Sequence, residues 1–459
     1  MLDDLFAGKH ILWQCFFGSY CLGLDEVLPI RGVSCMDHGV DYDQIEAQLG
    51  IQLLEYEQPG VRRFNWIGCG IEVVFERCRD QIGAVLDARP REDWIVTSTP
   101  ASEQLERFCE TRSLRYVGTP AHVAEPFKPK RRLHEALAAL GLPRVEGRWL
   151  RLAGADLSQL QAELGAEFFA QTDLGAAGSG TRMIQDHASL LAAAESFGDD
   201  PVFAAPCLGE LSLNINAAVV AGRAFSGCPN VQLAGVDQLG APCGGYAGND
   251  YSAAATLDPA IAHDAVEQTV AIGEWMAAQG FEGLYGLDFV IGARDGRCHA
   301  VDLNPRWQGS THLSVQAELA SGRLPLVVAE FAYRCGLLDL EELEHRRDQF
   351  TQPVEAAQLC LRAPSARLCR VPEQVRPGVY RSTAASFCRD GLRLTDCRDQ
   401  EEWLLTCGVP RQGTLVEPGA LLVRVSSTRS VVGERSDQLG AWAGGVVDSV
   451  YRMFGMQLA

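Results

Sequence analysis

The chain has 459 residues, 47% of them hydrophobic and 22% charged, a balance that supports packed cores and excludes an intrinsically disordered chain. That length is a prior for about three domains of ~150 residues each. With 40 Lys and Arg against 59 Asp and Glu, the net charge is -19, which excludes a broad nucleic-acid or anionic-membrane surface but leaves room for a local basic pocket for a phosphate.

The opening "MLDDLFAGKH" is acidic and lacks the basic start and apolar core of a signal peptide. The longest apolar stretches, such as "LPLVVAEFAY", fall short of the ~20 residues a membrane-spanning helix needs. Sixteen cysteines are scattered without a CxxC pair, which predicts buried thiols rather than disulfides or zinc ligands. A cytoplasmic location without membrane contact is expected.

In chain order, "HILWQCFF" and "DWIVTSTP" read as strands that end in small polar residues, "SEQLERFCETRS" as an amphipathic helix, and "LRYVGTP" as the next strand. This alternation predicts an open α/β layer on a parallel sheet. No G-x-G-x-x-G follows the first strand, which argues against a dinucleotide site.

Next, "KPKRRLHEALAALGLP" predicts a helix with Leu133, Ala136, Leu137 and Leu140 on one apolar face, ended by Gly141 and Pro143. "DPAIAHDAVEQTVAIGEWMAAQG" predicts a long amphipathic helix. Beyond "SGRLPLVVAEFAYRCG", the segments "VEAAQLCLRA", "GVYRSTAASF" and "GALLVRVSS" predict short strands of a smaller β-rich domain, closed by the helix "QLGAWAGGVVDSVYRMF".

The segment "LYGLDFVIGARDGRCHAVDLN" reads as a hairpin. A three-residue loop, Arg294 to Gly296, with Gly296 left-handed, sets Asp288 directly opposite Asp302. One face then carries Leu287, Phe289, Ile291, Val301 and Leu303, and the other Asp288, Asp302 and Asn304. A two-residue loop would put the acids on opposite faces. Facing carboxylates repel unless something compensates. Two carboxylates and an amide oxygen suit Mg²⁺, with Mn²⁺ as an alternative. Arg306, in "NPRW" just beyond, offers a planar fork to phosphoryl or carboxylate oxygens.

"EFFAQTDLGAAGSGTRMI" reads as strand, glycine-rich loop and strand. Gly175, Gly178 and Gly180 allow backbone N–H groups to approach phosphate oxygens. The Walker signature G-x-x-x-x-G-K-[ST] is absent.

Together these motifs resemble the ATP-grasp superfamily, in its biotin carboxylase and carbamoyl phosphate synthetase branch. The resemblance covers about 1–330 and extends plausibly to the C-terminal part. It implies α/β and α+β architecture: an N-terminal open parallel α/β (preATP-grasp) domain at 1–125, an ATP-grasp domain at 126–330 with a lid at about 145–205, and a small C-terminal β-rich domain at 331–459. It implies ATP and Mg²⁺ as cofactors. Lys130 matches the first nucleotide-contacting Lys. Gln171, Gly175, Gly178, Ser179 and Gly180 match the lid over the phosphates. Ala205, Cys207 and Leu208 match the hinge beside adenine, and Glu210 the ribose contact. Asp288, Asp302 and Asn304 match the metal ligands, and Arg306 the phosphate-binding arginine, with Asn304 and Arg306 expected in catalysis. Ser310, Thr311 and His312 follow as substrate contacts, with His312 a candidate proton acceptor. The chain departs from the pattern at Gln171, where the lid usually presents Lys or Arg; Lys128, Arg131 or Arg182 would have to compensate.

The activity implied is ligation of a small-molecule carboxylate to an amine through an acylphosphate, in amino-acid or peptide amide-bond formation. A homodimer is one assembly the resemblance admits. The alternatives are bicarbonate activation in the manner of biotin carboxylase, and a nucleotide-binding protein without turnover, which Gln171 motivates.

Overall fold

The computed structural model describes residues 5–57, 61–66, 69–90, 92–175, 178–209, 211–364 and 367–455. The N-terminal sheet has five strands in the order Gln52–Glu55, Ile30–Cys35, Lys9–Cys15, Asp93–Thr99 and Arg115–Tyr116. All four pairings are parallel. The chain winds outward from Lys9–Cys15 in one direction and from Asp93–Thr99 in the other, so the order reverses between these two strands. The helix Glu103–Arg112 begins where Ser102 accepts the Leu105 N–H (3.2 Å), as an N-cap serine should.

A four-stranded antiparallel sheet follows, in the order Arg148–Leu150, Val202–Pro206, Phe168–Thr172 and Thr181–Ile184. It is preceded by the helix Lys130–Leu140, which buries Leu133, Ala136 and Leu137 and ends at left-handed Gly141. Leu140 departs from the expected apolar face. It is 37% exposed, because the last helical residue has run past the surface that the helix packs on.

The longest sheet is antiparallel and joins the middle of the chain to its C-terminal part. Its order is Cys298–Asn304, Gly283–Ile291, Ser212–Val220, Asn230–Ala234, Tyr246–Asp250, Ala357–Arg362, Leu421–Ser427, Glu402–Thr406, Gly378–Arg381 and Ser386–Arg389, with Arg223–Ser226 also paired to Ser212–Val220. The helix Pro259–Ala277, capped by Asp258 on the Ala260 N–H (2.9 Å), buries Ile272 and Met276 in the core beneath it. The segment "GVYRSTAASF" is not one strand. It folds back at Ser382 and Ala385, both at positive φ, as the hairpin Gly378–Arg381/Ser386–Arg389. The closing helix spans Ala441–Met453.

Among the described residues, no helix is long and apolar enough to cross a membrane. All sixteen cysteines are free thiols, ten of them buried.

Candidate active site

The hairpin Gly283–Ile291/Cys298–Asn304 sets Asp288 opposite Asp302, as the sequence predicts, but by a different route. The loop is one residue longer than expected: Gly292 N–H donates to the Arg297 carbonyl (2.9 Å), and Gly296 N–H to the Gly292 carbonyl (2.8 Å). Pairing runs Ile291 to Cys298 and Phe289 to Ala300, then shifts to Asp288 and Asp302. Val301 is therefore the extra residue of a β-bulge, and Ala300 takes the core position expected of it, beside Phe289 and Leu303. The longer loop and the bulge cancel, and the acids regain their opposition.

The two carboxylates are held differently. Asp302 Oδ1 receives Lys130 Nζ (2.5 Å), delivered by the first residue of the helix Lys130–Leu140. Its Oδ2 accepts Asn304 Nδ2 (3.4 Å), and Asn304 Oδ1 accepts Arg306 Nη2 (2.9 Å). Asp288 meets only amides. Asn214 Nδ2 (2.6 Å) and Gln308 Nε2 (3.3 Å) donate to Oδ1, and Gln232 Nε2 (3.4 Å) to Oδ2. Burial, and next the charge of Asp302, push the Asp288 carboxyl up to about 6 against the help of Asn214, Gln232 and Lys130. One cation for two half-buried acids leaves a deficit of positive charge.

Asp288 is one end of a polar ladder across the sheet. Asn230 Nδ2 reaches Asn214 Oδ1 (3.1 Å), Asn249 Nδ2 reaches Asn230 Oδ1 (2.7 Å), and Gln358 Nε2 reaches the Tyr246 hydroxyl (2.8 Å) and the Gly309 carbonyl (2.8 Å). These amides fix Asp288 without adding charge, and sequence reasoning missed them. Their signal was the two-residue alternation of amides in "LNINAAVV" and "NVQLA", which marks one polar sheet face. Arg424 was also missed. It is buried, donates from Nη2 to the Tyr20 hydroxyl (3.0 Å), and lies over the Phe17 and Tyr20 rings.

Ser310, Thr311 and His312 are not brought to an open surface. The Ser310 hydroxyl donates to Asn214 Oδ1 (2.7 Å), and the Thr311 hydroxyl to Asn216 Oδ1 (2.7 Å). His312 is buried against Tyr20, its ring centroid 4.7 Å away. Burial, reinforced by Arg424, holds it well below the usual histidine range. Enclosed and with its basicity lowered, it is poorly set to take a proton from a substrate amine.

On the strand Phe168–Thr172, where the sequence predicts a lid, Gln171 is half-buried and its Nε2 donates to Thr181 Oγ1 (3.2 Å). The three cations expected to compensate for Gln171 are engaged elsewhere. Lys128 pairs with Glu125, Arg131 Nε with Asp173 (2.6 Å), and Arg182 with the Ser179 and Thr181 carbonyls (3.1 and 2.8 Å). Gly175, Gly178, Ser179 and Gly180 lie in the turn between the lid strands. Gly178 has φ +81, and a Cβ there would stand 2.6 Å from the Gly244 carbonyl oxygen, so the turn meets the 242–245 loop backbone to backbone. The lid is tied to the acidic pair through the Lys130 N–H, which donates to the Asp173 carbonyl (2.8 Å).

At the hinge, Ala205 lies within the strand Val202–Pro206, Cys207 is exposed, and the Leu208 carbonyl accepts the Ala293 N–H (2.9 Å). That bond docks the hinge on the loop of the acidic hairpin. Glu210 lies outside the described residues.

A parallel N-terminal sheet, a separate four-stranded antiparallel sheet and a long antiparallel sheet that carries the acidic hairpin define an ATP-grasp fold. Among solved structures, the chain is similar to the biotin carboxylase domain of Hydrogenobacter thermophilus 2-oxoglutarate carboxylase, solved with MgADP, ADP and bicarbonate. The TM-score is 0.58 at 12% identity, over 91% of this chain and 86% of that one. It is similar to biotin carboxylase from Campylobacter jejuni (TM-score 0.57, 14% identity, 91% and 87% covered). It is also similar to carboxyaminoimidazole ribonucleotide synthase from Aspergillus clavatus, solved with ATP (TM-score 0.51, 12% identity, 98% of each chain). No family model and no curated protein matches the sequence.

Proposed function

We propose that this chain is an ATP-dependent ligase that activates a carboxylate and joins it to an amine. The observation that carries this reading is the pairing of Asp288 with Asp302, with Lys130 and Asn304 on Asp302 and Arg306 held against Asn304. Among the described residues, no group of three or more His, Cys, Asp or Glu side chains converges. The donor set is two carboxylates and the Asn304 amide, whose oxygen accepts from Arg306 here and would have to turn toward the acids to join them. The charge deficit at Asp288 and the all-oxygen donors fit a hard divalent cation that keeps part of its shell for water and phosphate. Asp288, Asp302 and Asn304 would hold Mg²⁺, which when bound neutralises phosphate charge as the phosphoryl group moves.

The remaining work falls to the chain's own side chains. Lys130, held on Asp302 here, would be free to meet a phosphate once that carboxylate is engaged as a metal ligand. Arg306 uses two of its five N–H groups on Asn304 and the Trp307 carbonyl. The other three remain for the carboxylate or the transferring phosphoryl group. The lid turn, through Lys130 and Asp173, would cover the nucleotide and exclude water. An acylphosphate then gives an amide when an amine displaces phosphate. We assign 1–125, 126–330 and 331–459 as the preATP-grasp, ATP-grasp and C-terminal domains. The free thiols support a cytoplasmic location, and the neighbouring biotin carboxylase domain dimer makes a homodimer the first assembly to test.

Bicarbonate activation ranks second. After Arg306 the first carboxylate in the sequence is Glu318, which is buried and accepts the Leu326 N–H (3.2 Å), so no acidic residue closely follows the arginine along the chain. A nucleotide binder without turnover is supported only by Gln171. Release of ADP and phosphate on mixing with carboxylate and amine panels, followed by mass spectrometry of the product, decides among the three. Product carrying an amide supports ligation. Bicarbonate-dependent ADP release without amine supports the second reading, and nucleotide binding without ADP release the third.

A further inference from the structure

A cavity opens where the N-terminal sheet meets the acidic hairpin. Its empty space is about 690 Å³, part of it open to solvent. Trp13 and Thr97 to Thr99 contribute from the carboxyl-terminal parts of Lys9–Cys15 and Asp93–Thr99. Strand order reverses between these two strands, and in open α/β sheets ligands bind in the crevice outside the strand ends at such a reversal. The opposite wall is Trp307, Val327 and Phe331, and the inner wall includes Leu28 and Ile30.

The cavity carries little unmatched charge. Its two charged residues are Arg306 and Glu330. Glu330 is already paired with Arg334. Arg306 has no ion-pair partner among the described residues and contacts only Asn304 and the Trp307 carbonyl. Beside it, Trp307 is 7% exposed, and its indole Nε1–H has no partner. A buried indole donor without an acceptor costs free energy that an incoming acceptor would recover. Arg306, with N–H groups to spare, and Trp307 thus both line a largely apolar chamber, and Arg306 also touches the Asn304 of the acidic pair.

Resting on the ligase reading above, we propose that this cavity seats the apolar body of the carboxylate substrate. The substrate is a monocarboxylic acid with a branched-aliphatic or aromatic tail, its carboxylate meeting Arg306 and the Trp307 N–H. Short acids would reach the arginine but leave the chamber unfilled. Dicarboxylates would bury a second charge with nothing to match it.

The test measures binding to the nucleotide-free protein, by calorimetry and by thermal melting, of acetate, 4-methylpentanoate, phenylacetate and succinate. Affinity should rise about fourfold for each methylene buried, with acetate and succinate weakest. Val327→Phe should weaken phenylacetate binding by about tenfold or more by occupying its space. Val327→Ala, which cannot overpack, should shift preference toward a bulkier arylacetate, and Trp307→Phe should weaken every carboxylate by about threefold or more through the lost N–H. Equal affinity across the acid series, or indifference to both Val327 variants, overturns the proposal. ADP formation separates its failure from that of the ligase reading. Turnover of an acid whose KM ignores Val327→Phe retains the ligase and rejects this cavity. Tail-dependent binding without ADP from any amine retains the cavity as a ligand site and rejects the ligase.

Discussion

The ammonium of Lys130 stands 2.5 Å from Oδ1 of Asp302, the Lys side chain 9% exposed and the Asp side chain 27%. A helix N-terminus and a strand 172 positions away therefore meet as a pair, and among the described residues Lys130 is the one cation that pairs with either acid. Lys130→Met should destabilise the metal-free protein by about 2 kcal/mol, less than a fully buried pair would lose because Asp302 keeps some solvent. Mg²⁺ alone should then raise the melting temperature of the variant more than that of the wild type, since the metal no longer competes with an ammonium. Equal Mg²⁺ shifts in both proteins would show that Asp302 is not a metal ligand.

Asp302→Asn keeps the side-chain shape and removes one charge from the acidic pair. We expect turnover to fall at least about a hundredfold, or roughly 2.7 kcal/mol of transition-state stabilisation. Stability without metal should change by less than about 1 kcal/mol, because the repulsion from Asp288 and the attraction to Lys130 vanish together. Near-normal turnover would reduce the acidic hairpin to a structural strand end.

Much of this arrangement was legible in the sequence because it is local. Acid spacing, the Asp-Gly turn and the two-residue alternation predict the hairpin, and helical periodicity predicts Lys130–Leu140. The bulge at Val301 was not legible, since the longer loop that it offsets has no distinct residue signature. Nor were the partners of Asp288. Asn214, Gln232 and Gln308 lie on three separate segments, and only strand order brings them to one carboxylate. Arg424 reads as an odd cation in "LLVRVSS", but its rings, Phe17 and Tyr20, lie about 400 residues earlier.

Glu318 gives a pH test away from the acidic pair. Burial pushes its carboxyl up to about 7, against the Leu326 N–H, Arg323 and the Ser314 hydroxyl, from an ordinary 4.5. The folded state therefore binds this proton more tightly than the unfolded chain. The associated stability is fully present below pH 4.5 and is lost as pH rises through about 7. Glu318→Gln keeps an acceptor and no charge. Denaturant titrations should find it near wild type at pH 4.5 and more stable by about 1–2 kcal/mol at pH 8. A gap independent of pH would mean that Glu318 stays ionised in the fold.

Gly178→Ala probes lid closure. The position combines φ +81 with a Cβ that would approach the Gly244 carbonyl to 2.6 Å, so the variant should resist the contact between turn and loop. The strain is about 1 kcal/mol or more, which predicts a KM for ATP raised about fivefold or more with little change in melting temperature. Protease cleavage in the 173–180 turn should be slowed by an ATP analogue with Mg²⁺ in the wild type, and less so in the variant. An unchanged KM would detach the turn from nucleotide binding.

The last prediction concerns the missing lid cation. Among the described residues Gln171 holds only the Thr181 hydroxyl, and Lys128, Arg131 and Arg182 are each engaged by other partners. Gln171→Lys should supply the charge that this strand lacks. A charge-assisted bond exceeds a neutral one by about 1–1.5 kcal/mol, so the KM for ATP should fall about fivefold to tenfold. The cost is one neutral bond on a half-buried side chain, which should lower stability by less than about 1 kcal/mol. Salt separates a direct phosphate contact from a general effect, since the gain at a covered site should survive an ionic strength that erases a surface attraction. If KM stays fixed while stability falls, Gln171 faces away from the nucleotide, and its amide serves only to brace Thr181 across the lid hairpin.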